Sequence, residues 1–521
     1  MAYMPHIDDP SVLCDSPVFS DPASDSISAL LSDVSGTSNI KEFSTRKPAP
    51  DVFPILPQPH NFSVLGNSAR FQDYITVELP LALNKEGDGD GIKPLPTPFF
   101  PPPPPPPPPA DKLRRKNVNS TFLNTLLKKV STLKGSAEWV EREVFPDVKL
   151  PKPFDEAAVR SCPELWDNKS VTYPRPPGDM TEQKMREWLN NIAHNLAAVH
   201  KITADDNLDR SDRGFDSRTA TKGPSGAFML RKPDICVIDR ETQHNAMETE
   251  QERLHWRRIY CLIEVTSKKY PLSDLLRQIS QKAACLFDVQ PQREFFCALA
   301  IFGEPTKLQF SFALVDRAGV TYTPPTLISS YAIFTFLRIV FAFCFAKPET
   351  VGWDSSMTID PETYEVTSIA VTSSENDEPT PNITTRTFDI VKLIHSSPIL
   401  YGRGTRVWIV KDQQGHFYVL KDSWILGASA VSEIQLIRRI EKTVEQDPDG
   451  YLFRSSCPSY IIGQDCVCST DTIRGLLPNK PAARHQRRIV TATIGDPVTS
   501  FRSKKEFVSV FLDIVNSMFR N

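Results

Sequence analysis

The chain carries no excess of charge of either sign: 60 lysines and arginines stand against 63 aspartates and glutamates in 521 residues. Global charge therefore gives no footprint for nucleic acid or for an anionic membrane surface. Cysteine is sparse and scattered, ten in all, with no Cys-x-x-Cys pair. Cys466-Val467-Cys468 is spaced too tightly for an ordinary pair of zinc ligands. The set reads as buried, reduced thiols of an intracellular protein. The start Met1-Ala2-Tyr3-Met4-Pro5-His6 lacks the basic stretch and apolar run of a secretory signal. One long apolar run occurs, Leu327 to Ala346, and Arg338 sits in its middle. A charge at mid-depth is expensive in lipid, so this run reads as a buried helix of a soluble domain, not a membrane span. No repeat appears at solenoid periods. The nine histidines build no Ser-His-Asp or Cys-His arrangement, and His485, beside Arg484, Arg487 and Arg488, reads as a solvated basic edge.

Proline is plentiful, 46 residues, and unevenly spread. Residues 1–110 are rich in Ser, Asp and Pro and end in the run Pro101 to Pro109. Such a composition buries too little apolar surface to offset its ordering entropy, which predicts a disordered arm over 1–116. The proline run predicts a polyproline II rod. It serves as a stiff spacer or as the ligand of a polyproline-binding domain with an aromatic-lined groove, such as an SH3 or WW domain or an actin-monomer-binding protein. Lys112-Leu113-Arg114-Arg115-Lys116 reads as a solvated basic patch, with a localisation signal as the alternative.

Order is predicted from near Asn119, where Phe122, Leu123, Leu126, Leu127 and Val130 recur at helical spacing. A second amphipathic helix follows Thr181, with Met185, Trp188, Leu189, Ile192 and Leu196 on one face. Residues 205–226 read as a loop. Strand-like runs follow at Ile235 to Ile238, Ile259 to Val265, Phe295 to Phe302 and Leu308 to Val315, with a helix from Leu272 to Phe287. This mixture predicts an α/β or α+β domain over 117–346. Residues 347–386 carry Pro, Ser, Glu, Asp and Asn without apolar periodicity and read as a linker, and a further unit is expected over 387–521.

In that last unit, Gly402-Arg403-Gly404-Thr405 interrupts two apolar runs, and Phe417-Tyr418-Val419-Leu420 delivers Lys421. Glu433 follows on the helical pattern Ser432-Glu433-Ile434-Gln435-Leu436-Ile437. Glycines without Cβ let backbone N–H groups approach a phosphate. A strand lysine can pair such phosphates, and a helix glutamate can hold the lysine. In that order these are the parts of the front half of a protein-kinase site. Val407 stands where a third glycine is usual, and no His-Arg-Asp or Asp-Phe-Gly string occurs.

Gly402-Arg403-Gly404-Thr405, the string Leu420-Lys421-Asp422-Ser423-Trp424 and Glu433 resemble the fungal-type protein kinase family of mushroom-forming fungi. So do Arg484-His485-Gln486-Arg487-Arg488, Gly495-Asp496-Pro497-Val498 and the amphipathic helix from Ser503, with Phe507, Phe511, Leu512, Val515 and Met518 on its face. The resemblance covers roughly 120–521. It implies ATP with magnesium as cofactors, Gly402, Gly404 and Thr405 at the nucleotide, Lys421 on its phosphates and Glu433 on Lys421, with transfer to Ser or Thr hydroxyls of a protein. It also implies a kinase-like small lobe, an antiparallel sheet plus one helix, followed by a helix of the large lobe. The catalytic base and the metal ligands have no counterpart, so the expectation is a chain truncated before the catalytic loop or a pseudokinase.

Upstream, Lys232-Pro233-Asp234 opens one predicted strand, Ile263-Glu264-Val265-Thr266 closes the next, and Gln278 lies on the following helix. This resembles the PD-(D/E)xK nuclease arrangement, in which two carboxylates hold a divalent cation and a lysine positions the attacking water. The resemblance makes Asp234 and Glu264 the metal-ligand candidates and Glu187 a further acid. The lysine expected two residues after Glu264 is Thr266, with Lys268 and Lys269 beyond it. A missing basic residue removes a whole role, so the pair reads as a structural remnant. The fold expected is thus a PD-(D/E)xK-like mixed domain followed by a kinase-like small lobe. Two rival readings are a Pro-rich scaffold or binding module and a metal-dependent nuclease.

Overall fold

The computed structural model describes residues 132–519 apart from 167–174, 204–211, 244–252, 268–271, 329–331, 376–381, 398, 428–431, 449, 451–456, 476, 493 and 496–502, and side chains of the last helix as far as Leu512. The predicted arm, the proline run, the helix at 122–130, Lys268, Lys269 and the side chains of Val515 and Met518 lie outside the described residues. All described residues belong to one compact unit.

Two sheets organise that unit. The first contains β1 (Thr132–Lys134), β2 (Arg213–Asp216), β3 (Ile235–Asp239), β4 (Cys261–Thr266), β5 (Phe295–Phe302), β6 (Gln309–Asp316), β7 (Gly319–Tyr322) and β8 (Thr326–Leu327). Its order is β1-β7-β6-β5-β4-β3-β2, with β8 on β6. The long helices are α1 (Glu182–Val199), α2 (Leu272–Val289) and α3 (Ile333–Phe345). β4 and β5 run parallel and are joined through α2, because parallel neighbours need a crossover. The central strands are near-continuous apolar runs because both faces are covered. Ile235, Val237, Ile263, Leu299 and Phe312 pack toward α1 and α3, while Cys236, Ile238, Leu262, Ala298 and Ala313 pack toward α2. The apolar helix α3 is buried here, and Arg338 pairs with Asp147 at 2.7 Å. Among the described residues no helix is long and apolar enough to cross a membrane.

The second sheet contains β9 (Met357–Ile359), β10 (Val366–Glu375), β11 (Asn382–Ser396), β12 (Arg406–Lys411), β13 (Phe417–Leu426), β14 (Tyr460–Gln464) and β15 (Arg484–Thr491). All its pairings are antiparallel, in the order β14-β15-β13-β12-β11-β10-β9. The sheet curls until β10 approaches β14, and Met357, Ile369, Val371, Phe388, Trp408, Val410, Leu420, Ile462 and Val490 fill one interior. The long helices α4 (Glu433–Gln446) and α5 (Lys504–Phe519) accompany this sheet in sequence.

Three stretches differ from the sequence reading. Much of the expected linker at 347–386 is built into the second sheet as β9, β10 and the start of β11. Its Ser and Thr residues alternate with Ile369 and Val371, which are buried, so a half-polar strand reads as loop when its partner is unknown. The expected loop at 205–226 contains β2, whose Arg213 is buried by donating to the carbonyls of Phe343 (2.8 Å) and Ala346 at the end of α3. The run at 484–488 is not a solvated basic edge. It is strand β15, and Arg487 and Arg488 are buried in ion pairs.

Candidate functional site

Strand alternation sorts the residues around Lys421. Across β12, β13 and β15, Lys421 is opposite Val407 and Ile489, while Asp422 is opposite Arg406 and Arg488. Directly opposed residues share a face, so Lys421 and Asp422 project from opposite sides of the sheet. The Lys421 side is covered by α4. Ser432 caps that helix by accepting the Gln435 N–H at 3.2 Å, and Glu433 occupies its first turn, where a carboxylate complements the helix dipole. Ile434 and Ile437, one turn apart, bury against Ile489. Gly463 permits the close approach, since a Cβ there would stand 2.9 Å from Ile434 Cδ1 and 2.8 Å from the Arg488 carbonyl. The helix thereby delivers Glu433 Oε1 to 2.6 Å from Lys421 Nζ, with both side chains about a third exposed (30 and 31 %).

The glycine segment lies between β11 and β12. Gly402 (φ 123°) and Gly404 (φ 47°) take left-handed conformations that favour glycine. Its back is occupied. The Gly402 N–H donates to the Arg317 carbonyl at 3.0 Å, and a Cβ on Gly404 would stand 2.4 Å from Arg317 Cζ. The Arg317 guanidinium donates to the carbonyls of Ile399 (2.7 Å) and Leu400 (3.0 Å), and the Tyr401 hydroxyl bonds Ser280 Oγ at 3.0 Å. Arg406 reaches the carbonyls of Phe287 and Pro291. The upstream domain therefore supports this segment on the Arg406–Asp422 side, opposite the Lys421 side. Thr405 is half-buried, and its carbonyl accepts the Ser397 N–H at 2.9 Å.

On the inner side, Arg488 ties β15 to β13 and to the segment just before β9. Its guanidinium donates to Asp422 Oδ2 at 3.1 Å and also contacts Asp354 and Ser356 Oγ. Burial would raise the Asp354 carboxyl, but Arg488 beside it holds the group below its ordinary value.

The upstream carboxylates meet where β3 begins and β4 ends. The register Ile235↔Ile263 places Asp234 across from Glu264, and Asp234 Oδ2 accepts the Val265 N–H at 2.9 Å. Both lie on the face that carries Cys236 and Leu262, beneath α2. There Glu264 is buried and ion-paired to Lys282, which is also buried. Burial pushes Glu264 up to about 7 and raises Asp234, while Lys282 pulls both the other way. Glu187 is exposed and bonded to Gln183 and Arg186; the acid on α1 whose charge reaches Asp234 is Glu182. Gln278 is half-buried on α2. Among the described residues no group of three or more His, Cys, Asp or Glu could hold a metal ion. With an ammonium already on Glu264, the pair does not fit a divalent cation as it stands.

Lys282 was missed by the sequence reading. Its signal was present: Leu275, Ile279, Lys282 and Leu286 recur at helical spacing, so a lysine stands on the apolar stripe of α2.

Residues 232–449 match a family model described as Fungal protein kinase, and over that stretch the chain is similar to that family. The match takes in Asp234, Glu264 and Lys282 as well as Gly402, Gly404, Thr405, Lys421 and Glu433. No curated protein and no solved structure matches the chain.

Proposed function

We propose that the second sheet and α4 form a nucleotide-binding lobe of protein-kinase type. Lys421 pairs the phosphates of ATP in this reading, and Glu433 holds Lys421 in place. The observation that carries it is the 2.6 Å pair between a central-strand lysine and the first turn of the helix packed beside it. Support comes from strand order: β11-β12-β13-β15-β14 with α4 after β13 is the antiparallel sheet plus one helix that the resemblance implies. The family match supports kinase-like function at family level.

ATP suits the Lys421 side, where a cationic amine is pre-positioned and about a third exposed. The Gly402 amide is already bonded to Arg317, so Lys421 and the backbone of Gly404 and Thr405 carry the phosphate contacts in this reading. Magnesium enters as the nucleotide's counter-ion, and in the family's chemistry it neutralises charge on the transferred phosphoryl group. The 521 residues hold no His-Arg-Asp or Asp-Phe-Gly string, so the activity proposed for this chain is nucleotide binding without turnover. Titration with a fluorescent ATP analogue tests it. Saturable binding should weaken at least about tenfold in Lys421→Met, the loss of one charge-assisted contact of roughly 1.5–3 kcal/mol. Equal binding by Lys421→Met and the natural chain would refute the assignment, and Lys421-dependent phosphoryl transfer would refute the absence of turnover.

A further inference from the structure

The nuclease-like carboxylates raise a problem of charge. Asp234 and Glu264 lie across from each other on adjacent strands, and Glu264 is fully removed from solvent. Two carboxylates so placed need a positive partner, which in the arrangement they resemble is a divalent cation. Here the partner comes from the protein. The crossover from β4 to β5 lays α2 over this face, and Lys282 projects from its apolar stripe onto Glu264. Lysine is almost never this buried unless paired, and its side chain is only 7 % exposed. The second Glu264 oxygen, Oε1, is out of solvent and has no partner of hydrogen-bond geometry, so the site retains an acceptor aimed into it. Thr266, two residues on, supplies no amine, and Glu187, the third acid a metal centre would recruit, faces solvent.

We infer that Lys282 occupies the place of the divalent cation, pairing Glu264 from within the protein and making the Asp234–Glu264 pair a metal-free site. The ammonium bonds the Glu264 carboxylate directly, through Oε2. A metal would have to displace a desolvated ion pair to enter. The cluster thus ties β3 and β4 to α2, the helix whose Ser280 and Phe287 meet Tyr401 and Arg406. This inference is independent of whether the second sheet binds nucleotide.

Manganese binding to the full chain, followed by electron paramagnetic resonance and by thermal unfolding, tests it. The natural chain should show no manganese site that depends on Glu264. Lys282→Met should gain one site, bound at least tenfold more tightly than any in the natural chain, and should be stabilised by manganese. Lys282→Met combined with Glu264→Gln should lose that site. A manganese site in the natural chain that Glu264→Gln abolishes would overturn the inference. So would a Lys282→Met chain that binds no manganese, or one that stays unfolded with manganese present, since the metal should then replace the missing charge.

Discussion

Lys421 and Glu433 keep about a third of their side-chain surface in water, and an exposed pair of this kind is worth about 0–1 kcal/mol. The fold gains little from it. Arg488 is the opposite case. It is buried with Asp354 and Asp422, and removing it strands two carboxylates away from water. Losing one partner of a buried pair costs about 3–5 kcal/mol. Arg488→Met should therefore lower the urea-unfolding free energy by about that much, whereas Lys421→Met should change it by less than about 1 kcal/mol. Comparable losses in the two variants would contradict this division between a structural and a functional cation.

At the scale of elements, runs that bury both faces were legible. β5 spans the predicted Phe295 to Phe302, and α2 begins at the predicted Leu272. Apolar runs of this kind need no knowledge of their neighbours. Elements that hide polar groups were not legible. β2 carries Arg213 into the core because the end of α3 supplies carbonyls, and β15 buries Arg487 and Arg488 on its two faces because Asp465 meets the first and Asp354 and Asp422 the second. Those partners are distant in sequence, so local patterning cannot signal them. The site divides the same way: Lys421 and Glu433 follow from a strand–helix order within one segment, while the Lys282–Glu264 and Arg317–glycine contacts depend on how the layers stack. β10 offers a direct check. Ile369 is fully buried in the second sheet's interior, and Ile369→Ala should cost about 2–5 kcal/mol by chemical denaturation. A linker residue would give no measurable change.

At the scale of the molecule, the two sheets act on one another. Leu400 and Tyr401 pack into the α2-side core of the first sheet, so the glycine segment is anchored to the upstream domain. The connection between β14 and β15 returns the contact, with Arg474 bonded to Asp316 at 2.7 Å and Ile473 packed in the opposite core. The family match likewise runs from the first sheet into α4. The upstream domain is in this account a support for the glycine segment, and Val508, Val510, Phe511 and Leu512 of α5 are left exposed.

The central claim is that Lys421 faces the phosphates of a bound nucleotide. An acyl-phosphate derivative of ATP acylates the lysine nearest its phosphates, and mass spectrometry of the digested full chain identifies that residue. The account predicts label on Lys421 that excess ATP suppresses. Label on Lys421 no stronger than on solvent-exposed lysines such as Lys411, or label that ATP does not compete, would contradict it.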